Sequence, residues 1–234
     1  MVAAQVNFEE IGQLSHVQAR KVQKKLGDEW TGLQPATQVQ FAITPSGPIQ
    51  ATLQAYRLQT SDASWTLSLN PDSATLETNS YAGWDDFIEK FSAAVSAVAV
   101  VFDPAQCLRL GLRYIDRIQL PDGKESWAGL IKDFVRGVVD TPTFGSSILG
   151  ADQRHLLLLD EGARCMFHQG LEIDEKTQLA SNGYLLDYDV FVETPRPYDA
   201  ADIATQADKL HAHVGALFKA SIEDELFAWL KGDE

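Results

Sequence analysis

Arg109, Arg113 and Arg117 stand at four-residue steps in the stretch CLRLGLRYIDRIQLP, residues 107 to 121. A guanidinium is a planar fork that takes a carboxylate or a phosphate through two parallel hydrogen bonds. Read as a strand, the stretch turns Arg109, Gly111, Arg113, Ile115 and Arg117 to one face. Leu108, Leu110, Leu112, Tyr114 and Ile118 share the other, with Asp116. One face is therefore core and the other carries three cations. A second stretch, GYLLDYDVFVETP, alternates in the same way. It places Leu186, Tyr188, Val190 and Val192 on one side, and Leu185, Asp187, Asp189, Phe191 and Glu193 on the other.

Two chemistries follow. If the two strands are neighbours with their charged faces together, arginines and carboxylates pair across the ladder. Arg113 and Arg117 are then expected to be at least partly buried on Asp187, Asp189 or Glu193. If an arginine is left over, the face is a cradle for a small anionic, nucleotide-like ligand. Asp116, Asp187, Asp189 and His211 would be its polar neighbours. Ion-pair networks and binding sites share this signature, and the residues alone leave both readings open.

Other chemistry is sparse. The pair His211 and His213 on a helix points about 200° apart and does not converge on a metal. Cys165 and His168 fall on opposite faces of a strand. There is no CxxC pair, HExxH, Walker loop or GxSxG. The chain is read as holding no metal and no cofactor, and as leaning away from an enzyme.

The elements that must position the arginines are legible from periodicity. SHVQARKVQKKLG is a helix capped by Ser15, with Gln18 at the capping-box position and Gly27 at its end. Its Arg20, Lys21, Lys24 and Lys25 are read as a solvated face. PIQATLQAYRLQ, SWTLSLN and ATLETN form an antiparallel meander turning at NPDS. GWDDFIEKFSAAVSAVAVVF is the strongest helix, with Trp84, Phe87, Ile88, Phe91, Ala94, Val95 and Val98 at helical steps. DPAQ stops it. SWAGLIKDFVRGVV is expected to be a second amphipathic helix, followed by a loop, DTPTFGSS. ILGADQRHLLLLDEGARCMFHQGLEI is expected to be a hairpin turning at DEGA. DIATQADKLHAHVGALFKASIEDELFAWL is expected to be a closing helix with a stripe of Ile203, Ala207, Leu210, Val214 and Leu217. Strands come in groups, which predicts an α+β fold with antiparallel sheet and long amphipathic helices packed on one face. The chain is read as one domain over 1–234, with two similar halves, 1–121 and 122–234, as the alternative division.

Composition narrows the partners. There are 33 acidic residues against 19 basic ones, a net charge of -14. Such a surface repels phosphate backbones and anionic lipid, so general nucleic-acid or membrane binding is disfavoured and a basic protein partner suits it. Two cysteines, Cys107 and Cys165, exclude a disulfide framework and fit a reducing, cytoplasmic setting. The opening MVAAQVNFEE lacks the basic start and apolar core of a secretion signal. A homo-oligomer is compatible with all of this.

Four motifs together resemble a sporadically distributed family of uncharacterised prokaryotic proteins. Tyr81, Trp84 and Phe87 match a Y-x-x-W-x-x-F helix start. Arg109, Gly111, Leu112, Arg113, Tyr114, Arg117 and Ile118 match an R-x-G-L-R-Y-x-N-R-I strand, with Asp116 in place of the usual Asn. Asp187 and Asp189 match an L-D-x-D strand, and Leu210, His211 and Phe218 a late helix. The likeness spans roughly residues 60 to 220, and its usual Pro-rich first strand is reduced here to VAAQVNFEEIG. The resemblance implies no established activity. The family's patchy distribution implies mobile genes, such as toxin–antitoxin or phage-defence cassettes. The leading expectation is a non-catalytic binding protein, an accessory or neutralising partner in such a cassette. The alternative is an enzyme or sensor that binds a small anion on the arginine face.

Overall fold

The computed structural model describes residues 1–44, 47–139, 148–173 and 180–232. The expected loop DTPTFGSS, residues 140–147, lies outside them. In chain order the elements are β1 (Val2–Phe8), α1 (His16–Leu26), β2 (Gly32–Thr44), β3 (Gly47–Gln59), β4 (Trp65–Asn70), β5 (Ser73–Thr78), α2 (Trp84–Phe102) and β6 (Gln106–Gln119). Then come α3 (Asp133–Arg136), β7 (Gln153–Leu158), β8 (Arg164–Ile173), β9 (Ala180–Val192), β10 (Arg196–Pro197), α4 (Ala200–Ser221) and α5 (Asp224–Lys231). The fold is α+β with antiparallel strands, as the grouping of strands predicts.

The chain divides into two compact units. One comprises Met1–Leu112 with Phe191–Lys209, and the other Arg113–Val190 with Leu210–Glu234. In the first unit the strands lie in the order β2-β3-β4-β5-β1-β6. β1 alternates strictly: Val2, Ala4, Val6 and Phe8 are buried, and the strand pairs antiparallel with β5. The reduced N-terminus is thus a complete strand. α1 carries the expected capping box between Ser15 and Gln18. The apolar stripe of α2 buries Phe87, Phe91, Val95 and Val98, with the Phe87 ring 5.6 Å from that of Trp65 on β4. Asp103, in the left-handed region at φ 47°, ends the helix. β2 escaped the sequence reading: it is an edge strand that tolerates Pro35 because, among the described residues, one of its sides has no partner strand.

In the second unit the order runs β6-β9-β8-β7. β7 and β8 form the expected hairpin, joined by a 3-10 turn at Asp160–Gly162. Leu210 and Val214 of α4 are buried. Two expectations need correction here. SWAGLIKDFVRGVV is helical only over the four residues of α3. Its apolar residues Trp127, Leu130 and Ile131 are buried, but through an irregular backbone that Gly129 breaks at φ 78°. Ile131 bridges Ile222, and the Lys132 amide donates to the Ser221 carbonyl at 2.9 Å. The same bridge divides the closing helix into α4 and α5. Glu223 sits extended between them, its amide donating to the Leu130 carbonyl at 2.8 Å. A helix whose end groups find partners in another segment stops where those partners are.

Candidate functional site

The charged faces read from the sequence meet in the second unit. Alternation along β6, β9 and β8 turns Arg113, Asp187, Asp189, Met166 and His168 to the sheet face opposite the buried Leu112, Leu186, Tyr188, Cys165 and Phe167. The β7–β8 register adds Arg154 beside His168, Leu156 beside Met166 and Leu158 beside Arg164.

At the centre, Arg113 holds Asp187 bidentately. Nε donates to Oδ1 at 2.8 Å and Nη2 to Oδ2 at 2.6 Å. Arg113 is about half buried, its side chain 47% exposed, while that of Asp187 is 6% exposed. The hydrogen bond to Asp187 raises the guanidinium above its ordinary pKa, against partial burial, so Arg113 is always charged. His168 lies on the other side of the carboxylate, with Nδ1 3.6 Å from Asp187 Oδ2. Its Nε2 is 3.2 Å from Asp152 Oδ2, and Asp152 Oδ1 is 3.4 Å from Arg154 Nε. Arginine, aspartate, histidine, aspartate and arginine thus alternate along one line.

Gly170 seats Asp152 in that line. Its φ is 154°, and a Cβ there would overlap the Ala151 carbonyl. The segment before β7 therefore lies against the bare backbone of β8, and the Ala151 amide donates to the Leu171 carbonyl at 3.2 Å. A cleft on the charged face measures about 450 Å³ and is lined by Arg113, Arg154, Met166, His168, Asp187 and Asp189.

The remaining expected residues lie elsewhere. Arg117 is 59% exposed and pairs with Glu172 on β8, Nε to Oε1 at 2.8 Å, not with the carboxylates of β9. Arg109 belongs to the first unit. It lies over the Phe191 ring at 4.6 Å and reaches Glu193 at 3.9 Å. It folds back over Gly111, where a Cβ would stand 2.6 Å from Nη1. Asp116 and His211 face the core side. Burial raises the Asp116 carboxyl above its usual range, and His211 Nδ1 sits 3.0 Å from the Tyr114 hydroxyl.

The sequence reading missed Arg154 and Asp152 and set His168 aside. The signal for Arg154 and His168 was the symmetry of the hairpin about DEGA. Asp152 depends on the Gly170 contact, which no local pattern announces. Among the described residues, no group of three or more His, Cys, Asp and Glu side chains is placed to hold a metal ion.

Two features decide what the face can do. Its charges largely neutralise one another. Beside them Leu156 is 60% and Leu158 79% exposed on β7, with Met166 also exposed. β7 ends the strand order, and among the described residues no strand pairs with its outer edge. No helix among the described residues is long and apolar enough to cross a membrane. No family model and no curated protein matches the chain.

Proposed function

We propose that the chain is a non-catalytic binding protein, and that its second unit receives an extended segment of a partner protein along β7. The observation that carries this reading is the exposed pair Leu156 and Leu158 on the terminal strand β7, with Met166 beside them on β8, bordered by self-paired charges. An apolar patch rimmed by polar groups has the anatomy of a protein interface. An unpaired strand edge supplies the backbone donors and acceptors that an added strand uses. The net charge of -14 favours and steers a basic partner. A role as accessory or neutralising partner in a mobile toxin–antitoxin or phage-defence cassette is the finer form of this proposal, and the motif resemblance is what supports it.

The cleft also supports a second reading, a small anionic ligand between Arg113 and Arg154. The bidentate grip of Asp187 on Arg113 counts against it, because the strongest anion-binding edge of that guanidinium is taken.

Affinity capture from the native host with wild-type protein and with L156K/M166K separates the readings, circular dichroism confirming that both are folded. The expected result is a protein retained by the wild type and lost with the double variant, the loss persisting when the purified pair is mixed. Capture that is indifferent to the substitutions overturns the proposal. A retained anionic metabolite in native mass spectrometry, lost in R154Q, supports the second reading in its place. A dimer of this chain broken by L156K/M166K would make the occupant a second copy.

A further inference from the structure

The opposite, core side of the second unit holds an incompletely filled cavity. It measures about 210 Å³ and lies between the inward side chains of β7, β8 and β9, the end of α4 and α3. Its walls are mostly apolar, including Val135, Leu157, Phe167 and Leu217. Phe167 and Tyr188 stack there with centroids 4.8 Å apart and planes 9° from parallel, which gives it a flat aromatic wall.

Besides His155 and Ser221, two buried polar atoms without partners stand in that lining. Gln169 is 1% exposed and Tyr188 is 0% exposed, and both border the cavity. Among the described residues neither Gln169 Nε2 nor Tyr188 Oη has a hydrogen-bond partner. The Gln169 amide is oriented by the Tyr184 hydroxyl, which donates to its Oε1, so the unpartnered atom is the NH2 donor. The Ser221 hydroxyl approaches Tyr188 without hydrogen-bonding geometry and donates to the Leu217 carbonyl at 2.8 Å. Burial pushes the Tyr188 phenol above its ordinary value, so it keeps its proton and is a donor. Buried donors are nearly always satisfied, and two orphans on one cavity wall mark a missing acceptor.

We propose that this cavity binds a small, uncharged, largely apolar molecule of about one ring that presents a carbonyl or similar acceptor to Tyr188 and Gln169. The size fits, because a dry cavity of about 150 Å³ accommodates benzene. Charge is excluded by the lining. Among the described residues no lysine, arginine, aspartate or glutamate borders the cavity, and an ion would be stripped of water without a counter-charge. Among the described residues, His155, at the exposed end, is the one titratable wall residue besides Tyr188. This site uses the inward side chains and the docking face uses the outward ones, so either proposal can fail without the other.

Acetophenone and α-methylstyrene test it, since they share one shape and differ by a carbonyl oxygen against a methylene. Both are titrated into the full chain by ligand-observed NMR. Acetophenone is expected to bind about tenfold more tightly, the ordinary worth of a hydrogen bond to an otherwise unsatisfied donor. Tyr188→Phe, which keeps the aromatic stack, should weaken acetophenone severalfold and leave α-methylstyrene unchanged. Ala220→Phe should fill the cavity and abolish both. Equal affinities in the wild type, binding of neither probe, or binding that survives Ala220→Phe in a folded variant would each overturn the assignment.

Discussion

Arg113 stands half in water, yet the Asp187 carboxylate that it grips through bonds of 2.8 and 2.6 Å is almost wholly buried. The two ends of this pair are therefore unequal. Arg113→Ala strands a buried anion, whereas Asp187→Ala releases an arginine that can turn to solvent. The first should cost about 2–3 kcal/mol, the stranded-charge penalty reduced because water reaches the vacated side. The second should cost about 1 kcal/mol. Urea denaturation of both single variants and the double variant measures the order, and the double should recover part of the Arg113→Ala loss.

Glycine substitutions should separate two kinds of close approach. Alanine at Gly170 meets the Ala151 carbonyl, which is backbone, at a φ of 154°. Alanine at Gly111 meets the tip of Arg109, which can swing away. Gly170→Ala is expected to cost about 3 kcal/mol, the upper end of ordinary single substitutions. Gly111→Ala should cost less than half of that. Thermal denaturation of the pair checks the ranking, and equal losses would contradict it.

Neither cysteine should behave as a reactive thiol. Burial pushes Cys165 up to about 12, with Asp189 and Asp187 adding to the shift, and burial also raises Cys107. A thiolate is the nucleophile, so the folded protein at pH 8 should leave Ellman's reagent unreacted. Two equivalents should appear on unfolding. Rapid labelling of the native protein would show that one of the strands opens.

The turn at Asp62 should contribute to acid sensitivity. The Thr60 hydroxyl, the Ser64 amide and the Ser64 hydroxyl all donate to its carboxylate and hold it at about 2, below the ordinary 3.8. A carboxyl lowered by folding lends stability that is fully present above its unfolded value and is lost as pH falls through its folded value. Asp62→Ala should thus melt below wild type at neutral pH, with the gap closing as pH falls from about 4 towards 2. A gap independent of pH would mean that the turn does not use the charge.

Period-two alternation is enough to single out Arg113 and Asp187, because one buried face per strand imposes it. Arg117 finds a partner that alternation cannot name. That partner is Glu172 of β8, which no spacing along β6 or β9 identifies. Trp127, Leu130 and Ile131 have helical spacing, yet their backbone is taken by Ile222 and Ser221, nearly a hundred residues away. β2 does alternate, with Leu33, Val39, Phe41 and Ile43 on one side, but Pro35 interrupts the run and argues against a strand. Gln169 and Tyr188 have the pattern of ordinary inward positions, and only the cavity beside them makes their unpaired atoms meaningful.

The division of the chain bears on how it is made. The first unit needs Phe191–Lys209, and the 78 residues of Arg113–Val190 are synthesised before that segment emerges. At about 5–20 residues per second the delay is roughly 4–16 s. Meanwhile the early half of β6 lacks β10, and the places later taken by Tyr198, Ile203 and Ala207 stand empty. A ribosome stalled anywhere in that interval holds an apolar, open-edged fragment of the kind that chaperones recognise. Synonymous codons across 113–190 that slow translation should therefore lower the yield of folded protein, although the mature chain they encode is identical.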